Sequence, residues 1–246
     1  MNKLMTHLVA GYPDLSTTKA LLQYMISKQV DSIELQIPFS DPLADGPKLM
    51  AANDVAVNSG VSVAETLELI ASSEVEGTKL FIMSYLQPII SYGAEKFFHD
   101  ANHVGCKGYI LPDLPYDAPE MNQYIDYDAS FANKYIPVLS PGMSSGRLKE
   151  IFTKLAPETV YITARSGITG EHTDNYSDEL NRLIDEVRRL SDARIAVGFG
   201  VQNETDVKNV LKFADLAVVG SSVVSELGIS LDNAKQLVDK LAEAAK

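Results

Sequence analysis

The 246 residues suit a single (β/α)₈ barrel, for which ~250 is typical, better than one open sheet. With 21 basic against 33 acidic side chains, the formal charge is −12 and no basic run interrupts it, which disfavours nucleic acid and anionic membrane as partners. The lone Cys106 excludes an internal disulfide framework and fits a reducing compartment. No leader pattern opens the chain and no apolar run reaches spanning length, so the expected location is the cytoplasm.

Taken in order, β-rich apolar runs alternate with segments of helical period, the pattern of a parallel sheet with crossover helices. A strand over 6–10 ends at Gly11-Tyr12-Pro13-Asp14, and Ser16 is placed to cap a helix reaching 28. The second strand lies within 31–37, followed by helices over 47–58 and 62–73, the latter opened by Ser62 and Glu65 in capping-box spacing. The third strand, 80–83, leads through Gln87-Pro88 to a helix over 94–103. The fourth, 109–111, leads to a helix near 119–127, and the fifth, 135–139, is interrupted by Pro137 and followed by a helix that Ser144 begins. Strands over 160–163, 195–197 and 216–219 complete the series, with helices near 177–190, 204–213 and 231–245. The reading is eight strands and eight helices in one domain over 1–246, closed as a (β/α)₈ TIM barrel, with a doubly wound sheet as the alternative.

The most informative stretch is 31–47. Ile33, Leu35 and Ile37 point one way while Ser32, Glu34 and Gln36 point the other, so an acid stands on a strand buried on both sides. Burying a carboxylate shifts its pKa, which is how a general acid or base is made. A second carboxylate, Asp45, follows in Ala-Asp-Gly-Pro, and the two can converge on one substrate. The plainer alternative is an ordinary turn and helix start beside a solvated strand glutamate. Glycines follow the last three strands, in Ser166-Gly167-Ile168-Thr169-Gly170, Gly198-Phe199-Gly200 and Gly220-Ser221. In a barrel these positions suit a phosphate held by backbone N–H groups and a helix N-terminus near Ser221, though each glycine alone also fits turn chemistry.

The string Glu34-Leu35-Gln36-Ile37-Pro38-Phe39-Ser40-Asp41-Pro42-Leu43-Ala44-Asp45-Gly46-Pro47 closely resembles the signature of the tryptophan synthase alpha subunit family. The segments 111–115, 161–170, 197–201 and 219–221 are similar to further segments of that family, in the same order. The resemblance implies a retro-aldol lyase that cleaves indole-3-glycerol phosphate into indole and glyceraldehyde 3-phosphate. It implies that Glu34 transfers the protons and that Asp45 accepts the indole N–H. Tyr161 lines the pocket beside the glycerol chain, Gly170, Gly200, Gly220 and Ser221 hold the phosphate, Thr169 bonds Asp45 as a loop closes, and Arg165 orders that loop. No metal or organic cofactor is implied. The implied partner is a beta subunit bearing pyridoxal phosphate, in an α₂β₂ assembly, docked on the loop with Pro38, Asp41 and Pro42 and on the region of Gln87.

The sequence departs from the family at His7, where an aromatic residue is usual, at Gln36 in place of glycine, at Gln87, and in lacking a helix before the first strand. Strands one and two are neighbours in a barrel, so His7 and Gln36 are expected to bond each other or Glu34; the alternative is two neutral substitutions. His7 counts as a residue of the substrate pocket. These departures leave a second reading, a weakened subunit that chiefly activates its partner, and a third, another phosphate-handling barrel such as a sugar-phosphate isomerase. His99 and His103 stand at i and i+4 but read as a solvated helix face rather than a zinc site.

Overall fold

The strands that carry the alternating pattern pair side by side in a computed structural model that describes residues 2–73, 77–114, 134–164, 178–198 and 200–246. They are β1 (Leu4–Val9), β2 (Ser32–Gln36), β3 (Lys79–Met83), β4 (Gly108–Ile110), β5 (Val138–Leu139), β6 (Thr159–Thr163), β7 (Arg194–Gly198) and β8 (Leu216–Val219), all parallel, in the order β4-β3-β2-β1-β8-β7-β6-β5. The two ends of this row meet. Tyr109 N–H donates to the Lys134 carbonyl at 2.9 Å and Ile136 N–H to the Tyr109 carbonyl at 2.8 Å, which closes the sheet into a barrel. Gly108 permits that approach, because a Cβ there would lie 2.7 Å from the Lys134 carbonyl oxygen. The barrel expected from the sequence is therefore present.

Burial on both faces of the strands divides the interior into two layers. Leu4, Leu8, Ile33, Leu35 and Ile82 face the helices, while Met5, Phe81, Met83, Ile110 and Val218 pack inside the barrel. Among the described residues ten helices surround it: α1 (Leu15–Ser27), α2 (Pro47–Asn58), α3 (Val63–Ala71), α4 (Leu86–Tyr92), α5 (Ala94–His103), α6 (Ser145–Leu155), α7 (Asp178–Leu190), α8 (Glu204–Val210), α9 (Ser221–Ile229) and α10 (Leu231–Ala244). α7 shows why they dock: Leu180, Leu183, Ile184 and Val187 recur at helical spacing and are all buried. No helix among the described residues is long and apolar enough to cross a membrane.

Local chemistry explains where these elements differ from the sequence reading. α1 is capped by Asp14, whose carboxylate accepts from Thr17 N–H at 2.8 Å, while Ser16 donates to that carboxylate instead of capping. α3 carries the expected capping box of Ser62 and Glu65. α4 forms where a loop through Pro88 was expected. Proline is tolerated in a first turn, and Asp113, from the segment after β4, accepts the Leu86 N–H at 3.1 Å. β5 is shorter than expected because Pro137 has no N–H to give the ladder. The helix expected near 119–127 lies outside the described residues.

At the end of the barrel where strands begin, Arg194 of β7 grips Asp31 through two bonds of 3.0 Å, reaching past β8 and β1 to do so.

Candidate active site

The inward face of β1 carries His7 directly opposite Glu34 of β2 in the strand register. His7 Nδ1 lies 3.1 Å from Glu34 Oε1, and His7 Nε2 lies 2.9 Å from Gln36 Oε1. Gln36 Nε2 then donates to Asp45 Oδ2 at 2.7 Å. The bonds expected of His7 and Gln36 are thus both made, and they join the two carboxylates into one buried chain, Glu34, His7, Gln36, Asp45, with every member under a tenth exposed.

The loop after β2 is shaped to deliver Asp45. Its N–H donates to the Pro42 carbonyl at 2.9 Å, Ala44 N–H donates to the Tyr85 hydroxyl at 3.0 Å, and Phe39 N–H donates to Asn53 Oδ1 at 3.0 Å. Gly46 and Pro47 then start α2, as the turn chemistry of the sequence implied. Asn53 Nδ2 also reaches Asp45 Oδ2 at 3.3 Å, and the Tyr85 hydroxyl hydrogen-bonds the same carboxylate.

Burial and charge act in opposition here. Burial raises Asp45 above its ordinary value, against the lowering effect of the Gln36 bond, the His7 charge and the Tyr85 bond. Burial pulls His7 down, but the Glu34 charge and hydrogen bond, with help from Asp45 and Gln36, outweigh it and raise the imidazole. Tyr161 is pushed well above its usual range by burial and by the Glu34 and Asp45 charges, so its hydroxyl stays protonated.

One cavity at the ends of the strands collects most of the residues singled out in the sequence. His7, Glu34, Asp45 and Tyr161 line it together with Gly200, Gly220 and Ser221. Met83, Ile110, Val138 and Val218 supply an apolar wall. Gly220 is the N-cap of α9, so the first N–H groups of that helix stand beside the cavity as anion donors. Gly198, read in the sequence as one of the phosphate-loop glycines, leaves room for Tyr161: a Cβ there would stand 2.2 Å from the tyrosine hydroxyl. Arg165, Thr169 and Gly170, and the neighbouring His172, lie outside the described residues. His99 is exposed on α5 and pairs with Asp100 at 3.0 Å. Among the described residues no cluster of three His, Cys, Asp or Glu is placed to hold a metal ion.

Asn53 and Tyr85 were missed in the sequence. Asn53 had a signal, a polar residue four positions after Leu49 and three before Ala56 on the buried stripe of α2. Tyr85 had none, since its role depends on a loop that folds over it from β2.

A family model described as Tryptophan synthase alpha chain matches residues 1–246. The chain is 37% identical over 254 residues to a tryptophan synthase of Saccharomyces cerevisiae, a match that covers 100% of this chain and 35% of the yeast protein. It is 32% identical over 248 residues to the tryptophan synthase alpha chain of Thermotoga petrophila, covering 99% of this chain and 98% of that one. In three dimensions it is similar to a solved structure of Mycobacterium tuberculosis tryptophan synthase, with a TM-score of 0.86 at 27% identity, over 99% of this chain and 92% of that chain.

Proposed function

The chain belongs to the tryptophan synthase alpha chain family, and from that premise we propose that Glu34 and Asp45 carry out the family's lyase reaction, cleavage of indole-3-glycerol phosphate, in the cavity they share. The observation that supports this reading is the convergence of a strand carboxylate and a loop carboxylate on one pocket that has an apolar wall and a helix N-terminus beside it.

The chemistry follows from what the bond needs. Indole leaves only after C3 is protonated, and the glycerol hydroxyl beside the breaking bond must lose its proton as the aldehyde forms. Glu34 gives a proton to C3 and takes the hydroxyl proton, so it ends the cycle as it began. The electrons of the broken carbon–carbon bond return to the ring and neutralise the positive nitrogen. Asp45, held as an acceptor by Gln36 and Asn53, receives the indole N–H and stabilises the charge that develops there. The apolar wall holds the ring, Tyr161 lies beside the glycerol chain, and Gly200, Gly220 and Ser221 donate backbone N–H groups to the phosphate. Gly170, Thr169 and Arg165 complete the phosphate site and its loop in this proposal. These steps call for proton transfer alone.

The proposed partner is the pyridoxal-phosphate-bearing beta subunit, in an α₂β₂ assembly in the cytoplasm, with residues 1–246 acting as one domain. The β2 loop supports that docking surface, since Leu43 at its tip is 86% exposed, an unusual position for a large apolar side chain, with Met50 of α2 also exposed. The test is indole release from indole-3-glycerol phosphate by the chain alone and with a beta subunit. Release that rises with the partner and vanishes in Glu34→Gln supports the lyase. Stimulation of the partner without any indole release would replace it with the activator reading.

A further inference from the structure

The two carboxylates are joined by a chain of hydrogen bonds, and its direction can be derived. An ionised carboxylate only accepts, so the Gln36 group facing Asp45 must be the NH₂ end, at 2.7 Å. The other end of the amide is then a carbonyl that only accepts, and it faces His7 Nε2 at 2.9 Å, which fixes a proton on Nε2. With Nε2 protonated, His7 Nδ1 and Glu34 Oε1, 3.1 Å apart, form a hydrogen bond only if a single proton lies between them. That proton sits either on an imidazolium facing a carboxylate or on a carboxylic acid facing a neutral imidazole.

We propose that Gln36 and His7 are positioning residues that set the proton inventory of Glu34: the amide locks the imidazole with Nε2–H, so the Glu34–His7 pair carries one transferable proton as long as Asp45 is ionised. This rests on the reading of Glu34 as the proton-transfer group. The proton count closes over the cycle. The pair gives its proton to C3 of the indole, which leaves a bare Nδ1 lone pair against a carboxylate. Two acceptors then face each other at 3.1 Å, and the pair recovers a proton from the glycerol hydroxyl as the carbon–carbon bond breaks. Nε2 keeps its own proton throughout, because Gln36 gives it nowhere to go. Asp45, by accepting from both Gln36 and the indole N–H, is sensed at Glu34 through the same amide. The other titratable groups facing this chain from the described residues are Tyr161 from β6 and Tyr85 from the end of β3, and both are held protonated by burial.

Imidazole ¹⁵N resonances of the histidine-labelled chain, with His7 assigned by its loss in His7→Phe, read the assignment directly and without turnover. The expected spectrum has His7 Nε2 protonated across the range in which histidine titrates, with Nδ1 alone changing. In Gln36→Leu that preference for Nε2–H is lost. A wild-type His7 protonated on Nδ1 with a bare Nε2 overturns the proposal. With a beta subunit present, the basic limb of the kcat profile for indole release moves down by about one pH unit in Gln36→Leu, because the imidazolium loses its acceptor. The same substitution made on His7→Phe moves it no further. A uniform fall in kcat with the limb in place also overturns the inference. A wild-type chain that releases no indole sinks the lyase reading instead, and the nitrogen spectrum still decides this one.

Discussion

The two ends of the barrel each bury a carboxylate beside a basic side chain, and they differ in the base chosen. Where the strands begin, Asp31 is held by Arg194 through two parallel bonds, by a group that never gives up its proton. Where the strands end, Glu34 meets His7, a group that titrates near neutrality, through a single contact, and the pair also lines a cavity. An acid clamped by arginine has one state and contributes to holding the strands together. An acid facing histidine can exchange a proton with its partner, and the neighbouring Gln36 keeps the imidazole's other nitrogen out of that exchange. The same side-chain chemistry thus serves cohesion at one end and, in the proposed function, proton transfer at the other, which agrees with the usual division of labour between the two faces of such barrels.

The sharpest way to break the comparison is Glu34→Gln, which removes the proton carrier while keeping its shape. Indole release with a beta subunit should fall by roughly 10³-fold with little change in the thermal midpoint. Retained turnover would show that the upper carboxylate is as structural as the lower one. Gly198→Ala comes next. Its Cβ would overlap the Tyr161 hydroxyl, so the ring must swing away, and kcat should drop on the order of 10²-fold while circular dichroism stays native. Wild-type turnover in that variant would show that the ring's place beside Gly198 is immaterial.

Arg194→Met should do the opposite. It leaves Asp31 buried without its cation, and because Arg194 itself is 34% exposed the cost is modest, about 2 kcal/mol in urea unfolding. kcat per folded molecule should stay within about twofold of wild type, since each turnover change of tenfold needs ~1.4 kcal/mol at the transition state. A large loss of kcat would mean that the two ends are coupled. The smallest effect concerns pH. His7 is raised above 6.5 in the folded chain, so between 6.5 and that higher value the native state holds the extra proton. Stability is therefore fully present below 6.5 and is lost as pH rises through the folded value. The thermal midpoint should decline over that span, and His7→Phe should flatten the decline. An equal slope in both proteins would assign it to other groups.

Much of this site was legible before the fold was seen. The alternation around Glu34 placed Glu34 and Gln36 on one face of a strand, and neighbour order in a barrel set beside them the His7 that the family resemblance had singled out. Turn chemistry at Gly46 and Pro47 placed Asp45 at the mouth. What stayed hidden depends on contacts made across long stretches of chain. Tyr85 meets the β2 loop from the end of β3, Asp113 caps α4 from beyond β4, and Gly198 leaves room for a ring that stands 37 positions earlier in sequence, on the neighbouring strand. None of these has a periodicity to read. The helix cap at Asp14 failed for a simpler reason, since two good capping residues stand two positions apart and backbone geometry chose between them.

The meeting of Gly108 with Lys134 has a mechanical consequence. β1 and β2 are stitched over five register pairs, whereas among the described residues the ring is fastened between β4 and the 134–136 segment by two backbone bonds. β7 and β8 likewise share two register pairs, but the closure lies across the barrel from β1 and β8. An opening at that closure leaves the five-pair β1–β2 ladder that carries His7 in place. The amides of Tyr109 and Ile136 should therefore exchange with solvent deuterium well before those of β1 and β2.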